Sequence, residues 1–316
     1  MGKVQQTVSL MKNNISKNIV GRDDTAELCI IALLCGGHVL LEDVPGTGKT
    51  LLAKSIAQSV GGECRRIQFT PDLLPGDITG VSIFNMKTSE FEFVPGPVFA
   101  NILLADEINR ATPKTQAGLL ECMEERQATV DGQTYLLNEP FMVIATQNPV
   151  ENMGTYPLPE AQLDRFLIKT SMGYPTVAES VEIMKRRGEQ AKPAPLSAVV
   201  STDDIKSASK ELSLVFTHDD ILEYIAKICE STRSAPNVLL GASPRAAIGL
   251  LAVSKGLAAV AGRDYVIPDD VKKAAVPVLS HKLILTGTER IKANASEKIV
   301  KQIVSSVPVP TENLGV

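Results

Sequence analysis

HVLLEDVPGTGKTLLAKSIA, residues 38 to 57, decides how the rest of the chain is read. It opens on a short apolar run, His38 to Glu42, and crosses a turn holding Gly46 and Gly48. It then continues as a helical pattern whose apolar face carries Leu51, Leu52, Ile56 and Ala57. Strand, glycine turn and helix together let backbone N–H groups converge on a phosphate at a helix N-terminus. Gly48-Lys49-Thr50 matches the end of the phosphate-loop pattern G-x-x-x-x-G-K-[ST], but the pattern's first glycine falls on Asp43. That position lies where the chain leaves the strand, so an aspartate there breaks the pattern without blocking the cradle. In this reading Lys49 reaches the β- and γ-phosphates of a nucleotide and Thr50 ligates Mg²⁺.

A second apolar run, ILLADE (102–107), ends in two acids. If it is a parallel strand, those acids lie at the carboxyl edge of the sheet, where α/β sheets bind ligands. Asp106 then holds Mg²⁺ through water, and Glu107 polarises the attacking water. A third run, MVIATQNP (142–149), ends at Asn148, a non-ionising polar side chain suited to orienting water. Two arginines stand at element starts: Arg165 before an apolar run in LPEAQLDRFL (158–167), and Arg245 just inside the helix start SPR. Taken alone, each reads as a solvated surface charge.

Outside these motifs, CRRIQF (64–69) and RFLIKTSM (165–172) complete five short apolar runs separated by helical patterns, which predicts a parallel sheet with crossover helices. Two hairpins interrupt the rhythm, VSIFNMKTSEFEFV (81–94) and RQATVDGQTYLL (126–137), the second with an Asp131-Gly132 turn. AKPAPLSAVV (191–200) reads as a linker, and the patterns beyond it are helical. Thr217 and Asp220 have capping-box spacing, and Ser243-Pro244 and Gly262 bracket a further helix. The expected architecture is an α/β nucleotide-binding core over 1–192 followed by a helical domain over 193–316.

Of the 316 residues, 44% are hydrophobic and 22% charged, as in a globular protein with a core. The net charge of −4 and the lack of a basic run argue against a polyanion-binding surface. The five cysteines are scattered with no C-x-x-C pair, and the three histidines lie far apart, which speaks against disulfides and zinc. No signal-peptide pattern or membrane-spanning run is read, and the expected location is cytoplasmic.

Taken together, these blocks resemble the MoxR family of AAA+ ATPases over nearly the whole chain. IVGRD (19–23), EDVPGTGKT (42–50), FTPDLLPGDITG (69–80), DEINRA (106–111), MEERQ (123–127), ATQNP (145–149), GTYPLPEAQLDRF (154–166) and GASPRA (241–246) follow the family's order. The two long blocks are the discriminating ones. The resemblance implies a three-layer α/β P-loop core with a central parallel sheet and an all-α lid. It also implies a Mg²⁺-dependent ATPase, converting ATP and water to ADP and phosphate, in a hexameric ring with ATP at subunit interfaces, whose turnover drives chaperone-like remodelling or maturation of partner proteins. Val20 and Gly21 would lie on the adenine side, and Pro45, Gly46, Thr47, Gly48, Lys49, Thr50 and Leu51 would hold the phosphates. Asn148 corresponds to the first sensor, Arg165 to an arginine finger given to a neighbour, and Arg245 to the second sensor, acting in its own subunit or a neighbour's. Arg126 is a weaker candidate for an interface role. The implied partners are protein clients and a von Willebrand factor A domain protein. The alternatives within the same branch are a nucleic-acid motor related to minichromosome-maintenance helicases and a metal-chelatase motor subunit.

Overall fold

Five short runs pair into one sheet, the three central ones rich in Val, Leu, Ile and Ala and the two at the edges more polar. The structure, a computed structural model, describes residues 2–43, 46–148, 155–189, 193–287 and 294–310. Helices α1 (Lys3–Ile15) and α2 (Asp23–Leu34) come first. Strand β1 (Val39–Glu42) leads through the glycine turn to α3 (Lys49–Val60), then β2 (Cys64–Gln68) and α4 (Pro75–Thr79). A hairpin of β3 (Gly80–Asn85) and β4 (Glu90–Pro95) precedes β5 (Ile102–Asp106) and α5 (Pro113–Glu125). A second hairpin, β6 (Gln127–Val130) and β7 (Gln133–Leu136), precedes β8 (Met142–Gln147). Then come α6 (Glu160–Leu163), β9 (Ile168–Thr170) and α7 (Val177–Glu189). Beyond residue 193 the chain is mostly helical: α8 (Thr202–Ser213), α9 (Asp219–Ser234), β10 (Val238–Leu240), α10 (Pro244–Val260), α11 (Pro268–Leu279), β11 (Ile284–Leu285) and α12 (Ala295–Ser306).

The sheet order is β2-β5-β8-β1-β9, and every pairing is parallel. All five carboxyl ends therefore share one edge, as the apolar runs predict. Successive side chains point to opposite faces of a strand, and here both faces are covered. Val39, Leu41, Ile102, Leu104, Met142 and Ile144 join one core with α1, α2, α3 and the C-terminal helices. Leu40, Leu103, Ala105, Val143 and Ala145 join a second core with Leu119 and Leu120 of α5. This is the parallel α/β sheet with a helical lid that the sequence predicts.

Local capping decides where the lid helices start. Ser201 accepts from the Asp204 N–H while the Asp204 carboxylate accepts from Ser201, a reciprocal box that opens α8. Ser243 caps α10 by accepting from the Ala246 N–H at 3.1 Å. The expected box at Thr217 is displaced by one residue, and His218 Nδ1 accepts from the Asp220 N–H instead. The reason lies upstream: Phe216 pairs in extended conformation with the Asp264–Val266 segment, which keeps the chain non-helical there. All five cysteines are unpaired, and burial pushes the Cys29, Cys35 and Cys122 thiols up to about 12. Among the described residues no helix is long and apolar enough to cross a membrane, and no cluster of three metal-ligating side chains occurs.

Candidate functional site

The glycine turn joins β1 to α3, the local order its spacing predicts. Gly46 and Gly48 have φ of +85° and +95°, a left-handed conformation that side-chain-bearing residues adopt only at a cost. Gly48 is the N-cap of α3 and offers no capping side chain, so the helix's first N–H groups remain available to an anion. Among the described residues, a Cβ at Gly46 would meet no atom within 4 Å, so nothing crowds the turn on that side. Pro45 lies outside the described residues. Beside the turn is a cavity of about 290 Å³ lined by Val20, Gly46, Thr47, Gly48 and Leu51. Ile19 and Arg22 of the IVGRD block also line it, and the remaining walls, Asn18, Met172, Gly173, Pro175, Ile183 and Arg186, were not singled out by sequence reasoning. Arg186 donates to the Ser16 and Lys17 carbonyls at 3.0 Å each, pinning α7 to the end of α1 over the cavity. No motif marks that arginine. Gly21 is not a wall; it turns the chain behind Val20, where any side chain would collide with Glu179.

The broken glycine position has a use of its own. Asp43 is buried, and its Oδ2 accepts from the backbone N–H groups of Met172 at 2.6 Å and Gly173 at 3.0 Å. The aspartate therefore ties the entrance of the turn to the segment leaving β9. Its carbonyl accepts from Lys49 Nζ at 3.1 Å, so the lysine folds back along the turn. Thr50 is the second residue of α3.

The acids stand one strand away. In the sheet order β8 separates β5 from β1, which places Asp106, Glu107 and Asn148 at the same carboxyl edge as the glycine turn. Thr146 of β8 fixes the pair: its Oγ1 donates to Asp106 Oδ1 at 2.6 Å and accepts from the Glu107 N–H at 2.9 Å. Arg66 of β2 holds the other Asp106 oxygen at 2.7 Å. Glu107 takes φ of +56°, an uncommon conformation for a residue with a side chain. Its carboxylate accepts from Gln68 Nε2 at 2.7 Å and pairs with Arg110 at 3.1 Å. Asn148 is buried just past the end of β8. The oxygen donors of Thr50 and Asp106 suit a hard cation that keeps several waters, and the open turn suits a polyphosphate. The residues present therefore fit Mg·ATP.

Arg165 and Arg245 lie elsewhere. Arg165 precedes β9, and its neighbour Leu167 donates to the His38 carbonyl, immediately before β1. Both arginines bind one carboxylate: Arg165 Nη2 lies 3.1 Å from Glu124 Oε2, and Arg245 Nη1 lies 2.8 Å from Glu124 Oε1. Glu124 is near the end of α5, where Arg126 donates to the Gly36 and Phe141 carbonyls just before β1 and β8. The arginine pair is therefore at the amino edge, opposite the glycine turn across the length of β1, four residues or about 13 Å at ~3.3 Å per residue. Arg126, the weaker interface candidate, is spent on those carbonyls and on the Phe141 ring, and burial lowers its pKa.

Two buried histidines reinforce the amino edge. His38 Nδ1 accepts from the Val143 N–H at 2.9 Å, so its Nε2–H donates to the Met123 carbonyl at 3.0 Å. Burial, with Arg126 nearby, depresses its pKa to about 3. His281 contacts the Phe166 carbonyl through Nε2 at 3.0 Å, and burial holds it neutral as well.

Comparison with known proteins agrees with this geometry. Residues 38–168 match the ATPase family associated with various cellular activities (AAA), and residues 230–303 match the AAA lid domain. The chain is 49% identical over 303 residues to the uncharacterized protein YeaC of Bacillus subtilis, covering 96% of this chain and 95% of that one. It is 43% identical over 308 residues to the chaperone MoxR1 of Mycobacterium tuberculosis, covering 95% and 81% of the two chains. A crystal structure of a protein classed as an ATPase, from Cytophaga hutchinsonii, superposes with a TM-score of 0.91 at 38% identity, covering 98% of this chain and 96% of that chain. With relatives this similar along nearly its whole length, the chain belongs to the MoxR family of AAA+ ATPases.

Proposed function

We propose that this protein hydrolyses ATP to ADP and phosphate with Mg²⁺, in a ring whose subunits complete one another's sites, and uses turnover to remodel or mature partner proteins. The observation that carries the reading is the division of the site between two edges. The glycine turn, Asp106 and Glu107 occupy the carboxyl edge, and Arg165 and Arg245 occupy the amino edge. Neither arginine reaches its own chain's turn, so both are assigned to a neighbour's nucleotide, which includes the second-sensor arginine. Six subunits is the ring size that the family resemblance favours.

The turn's N–H groups and Lys49 would bind the phosphates, and Thr50 and Asp106 would hold the cation. Mg·ATP supplies the electrophilic phosphoryl group and a counter-charge for its oxygens. Glu107 would polarise the attacking water, with Asn148 orienting it. For that, Glu107 must exchange its contacts with Gln68 and Arg110 for the water. A guanidinium aimed at a transferring phosphoryl group is worth about 10³–10⁵ in rate.

A protein client is favoured over nucleic acid by the first hairpin. Val81, Ile83, Phe84, Met86 and Phe91 are all exposed there, with Met86 84% exposed near the tip. A surface of this kind suits apolar contact with protein, whereas phosphate binding needs Lys and Arg. A von Willebrand factor A domain protein is the expected partner. The test is steady-state phosphate release as a function of protein concentration, with single-stranded DNA, duplex DNA or a co-purifying von Willebrand factor A protein added. The rate per subunit should rise with concentration and respond to the protein. Salt-sensitive stimulation by DNA alone would favour the helicase-like alternative.

A further inference from the structure

The block MEERQ carries one residue that the catalytic reading leaves unused, Glu124. We propose that Glu124 is a positioning residue that holds Arg165 and Arg245 side by side as one dicationic unit for the neighbouring subunit's nucleotide. This rests on the assignment of both arginines to a neighbour's site.

The two guanidiniums come from different parts of the chain, one from the loop before β9 and one from the first turn of α10. Like charges brought together repel, so convergence needs an anion between them. Glu124 provides one, with each carboxylate oxygen taken by a different arginine, at 3.1 and 2.8 Å. The backbones beneath are fixed by other means. Asp164, next to Arg165, accepts from the Ser243 hydroxyl at 2.9 Å and pairs with Lys282 at 3.2 Å. Ser243 is the cap of the helix that bears Arg245, so Asp164 joins the two arginine-bearing elements. Glu124 itself sits on an α5 terminus anchored to the sheet through Arg126. What Glu124 controls is therefore the arginine tips, not the fold.

The side chains of the trio are 30%, 35% and 47% exposed, for Arg165, Glu124 and Arg245. Ion pairs this open contribute little stability. A phosphate carries more charge than a carboxylate and takes guanidinium bonds in a bidentate fork. An incoming phosphate can therefore take over both arginines from Glu124 while finding them already convergent. The carboxylate occupies the place that the neighbour's phosphate takes on assembly.

The test compares steady-state ATPase of the full chain as Glu124→Gln, Glu124→Asp and Arg165→Ala. Glu124→Gln should lower kcat roughly tenfold, about 1.4 kcal/mol of barrier, with KM for ATP and melting temperature unchanged. Glu124→Asp should recover part of the loss. The decisive arm mixes Glu124→Gln subunits with Glu107→Gln subunits carrying a different tag, with co-assembly verified by pull-down. Glu124→Gln subunits keep their own base and receive arginines from a partner whose Glu124 is intact, so their turnover should rise towards wild type. A defect that persists in verified mixed rings would overturn the proposal. So would an unaltered Glu124→Gln beside an inactive Arg165→Ala. Wild-type turnover by Arg165→Ala would instead remove the neighbour-site reading on which the proposal stands.

Discussion

The two edges of the central sheet are built on different principles. At the carboxyl edge Asp106, Glu107 and Lys49 each have a partner from their own chain. Asp106 is held by Thr146 and Arg66, Glu107 by Gln68 and Arg110, and Lys49 by the Asp43 carbonyl. At the amino edge two cations share a single carboxylate in the open. The cations of the first edge, Lys49, Arg66 and Arg110, are tied to a carbonyl or carboxylates of that same edge. The second edge presents two cations on one exposed carboxylate. The difference teaches that, in the proposed reading, the groups assigned to a subunit's own nucleotide and the arginines assigned to a neighbour's stand at opposite edges of one sheet.

Arg165→Ala should give the largest effect, a fall of about 10³–10⁵ in kcat with ATP binding retained. Mixing it with Glu107→Gln should restore activity at interfaces that combine an intact base with an intact arginine. Two inactive proteins that stay inactive despite verified co-assembly would break the division between the edges. Glu107→Gln alone should cost about 10²–10⁴ in rate, again with ATP still bound in a fluorescent-nucleotide titration. Lys49→Ala should instead lose binding in that same titration, which separates holding the phosphates from activating water.

A smaller effect sharpens the reading of the carboxyl edge. Asp43→Gly restores the general phosphate-loop pattern but leaves the Met172 and Gly173 N–H groups without their acceptor. We expect a loss of about 1–3 kcal/mol, read as a lower melting temperature by calorimetry. An unchanged or raised melting temperature would mean that the pattern, not the tie, governs this position.

The effect at the amino edge is absent at neutral pH and appears only in mild acid. Burial lowers the pKa of His38 to about 3, below its ordinary 6.5, and moves His281 in the same direction. Below 6.5 the unfolded chain takes up protons that the folded chain refuses. Stability is therefore intact above that pH and declines as pH falls towards 3 for His38. Well inside that window the slope should approach about 1.4 kcal/mol per pH unit for each histidine. Urea midpoints at pH 7.5, 6 and 5 measure it, and His38→Gln should flatten the slope. Equal flatness in the unsubstituted protein would contradict the buried, neutral assignment.

What was legible in the sequence was what is contiguous. Strand, turn and helix around Gly46 and Gly48 lie within twenty residues, and the acids follow directly on an apolar run, so spacing alone locates them. The ties between distant segments were not legible. Asp43 meets Met172 129 residues away, and Arg245 meets Glu124 121 residues away. No pattern of residue types records such a pairing, and for that reason Asp43 read as a defect and Glu124 as part of a motif without a role. Thr146 was in view within ATQNP, but only the pairing of β8 with β5 gives its hydroxyl something to do. The displaced cap at Thr217 has the same cause, a distant extended partner that delays the helix.

The first hydrophobic core runs without a break from the sheet into the lid, joining Val39 and Ile144 to Leu250 and Val278. Gly256 of α10 lies so close to Ile31 of α2 that a methyl group there would approach to 2.5 Å. Mechanically, such a subunit acts as a stiff lever, because parting sheet from lid at this shared core would expose apolar surface to water. In the proposed ring, compliance would then reside in the seams, with whole subunits turning against one another. Hydrogen exchange can read this directly: amides of α10 should be protected as strongly as those of β1 and β8, with nucleotide altering protection at the subunit rims. Rapid exchange in α10 beside a slow sheet would mean that the lever bends.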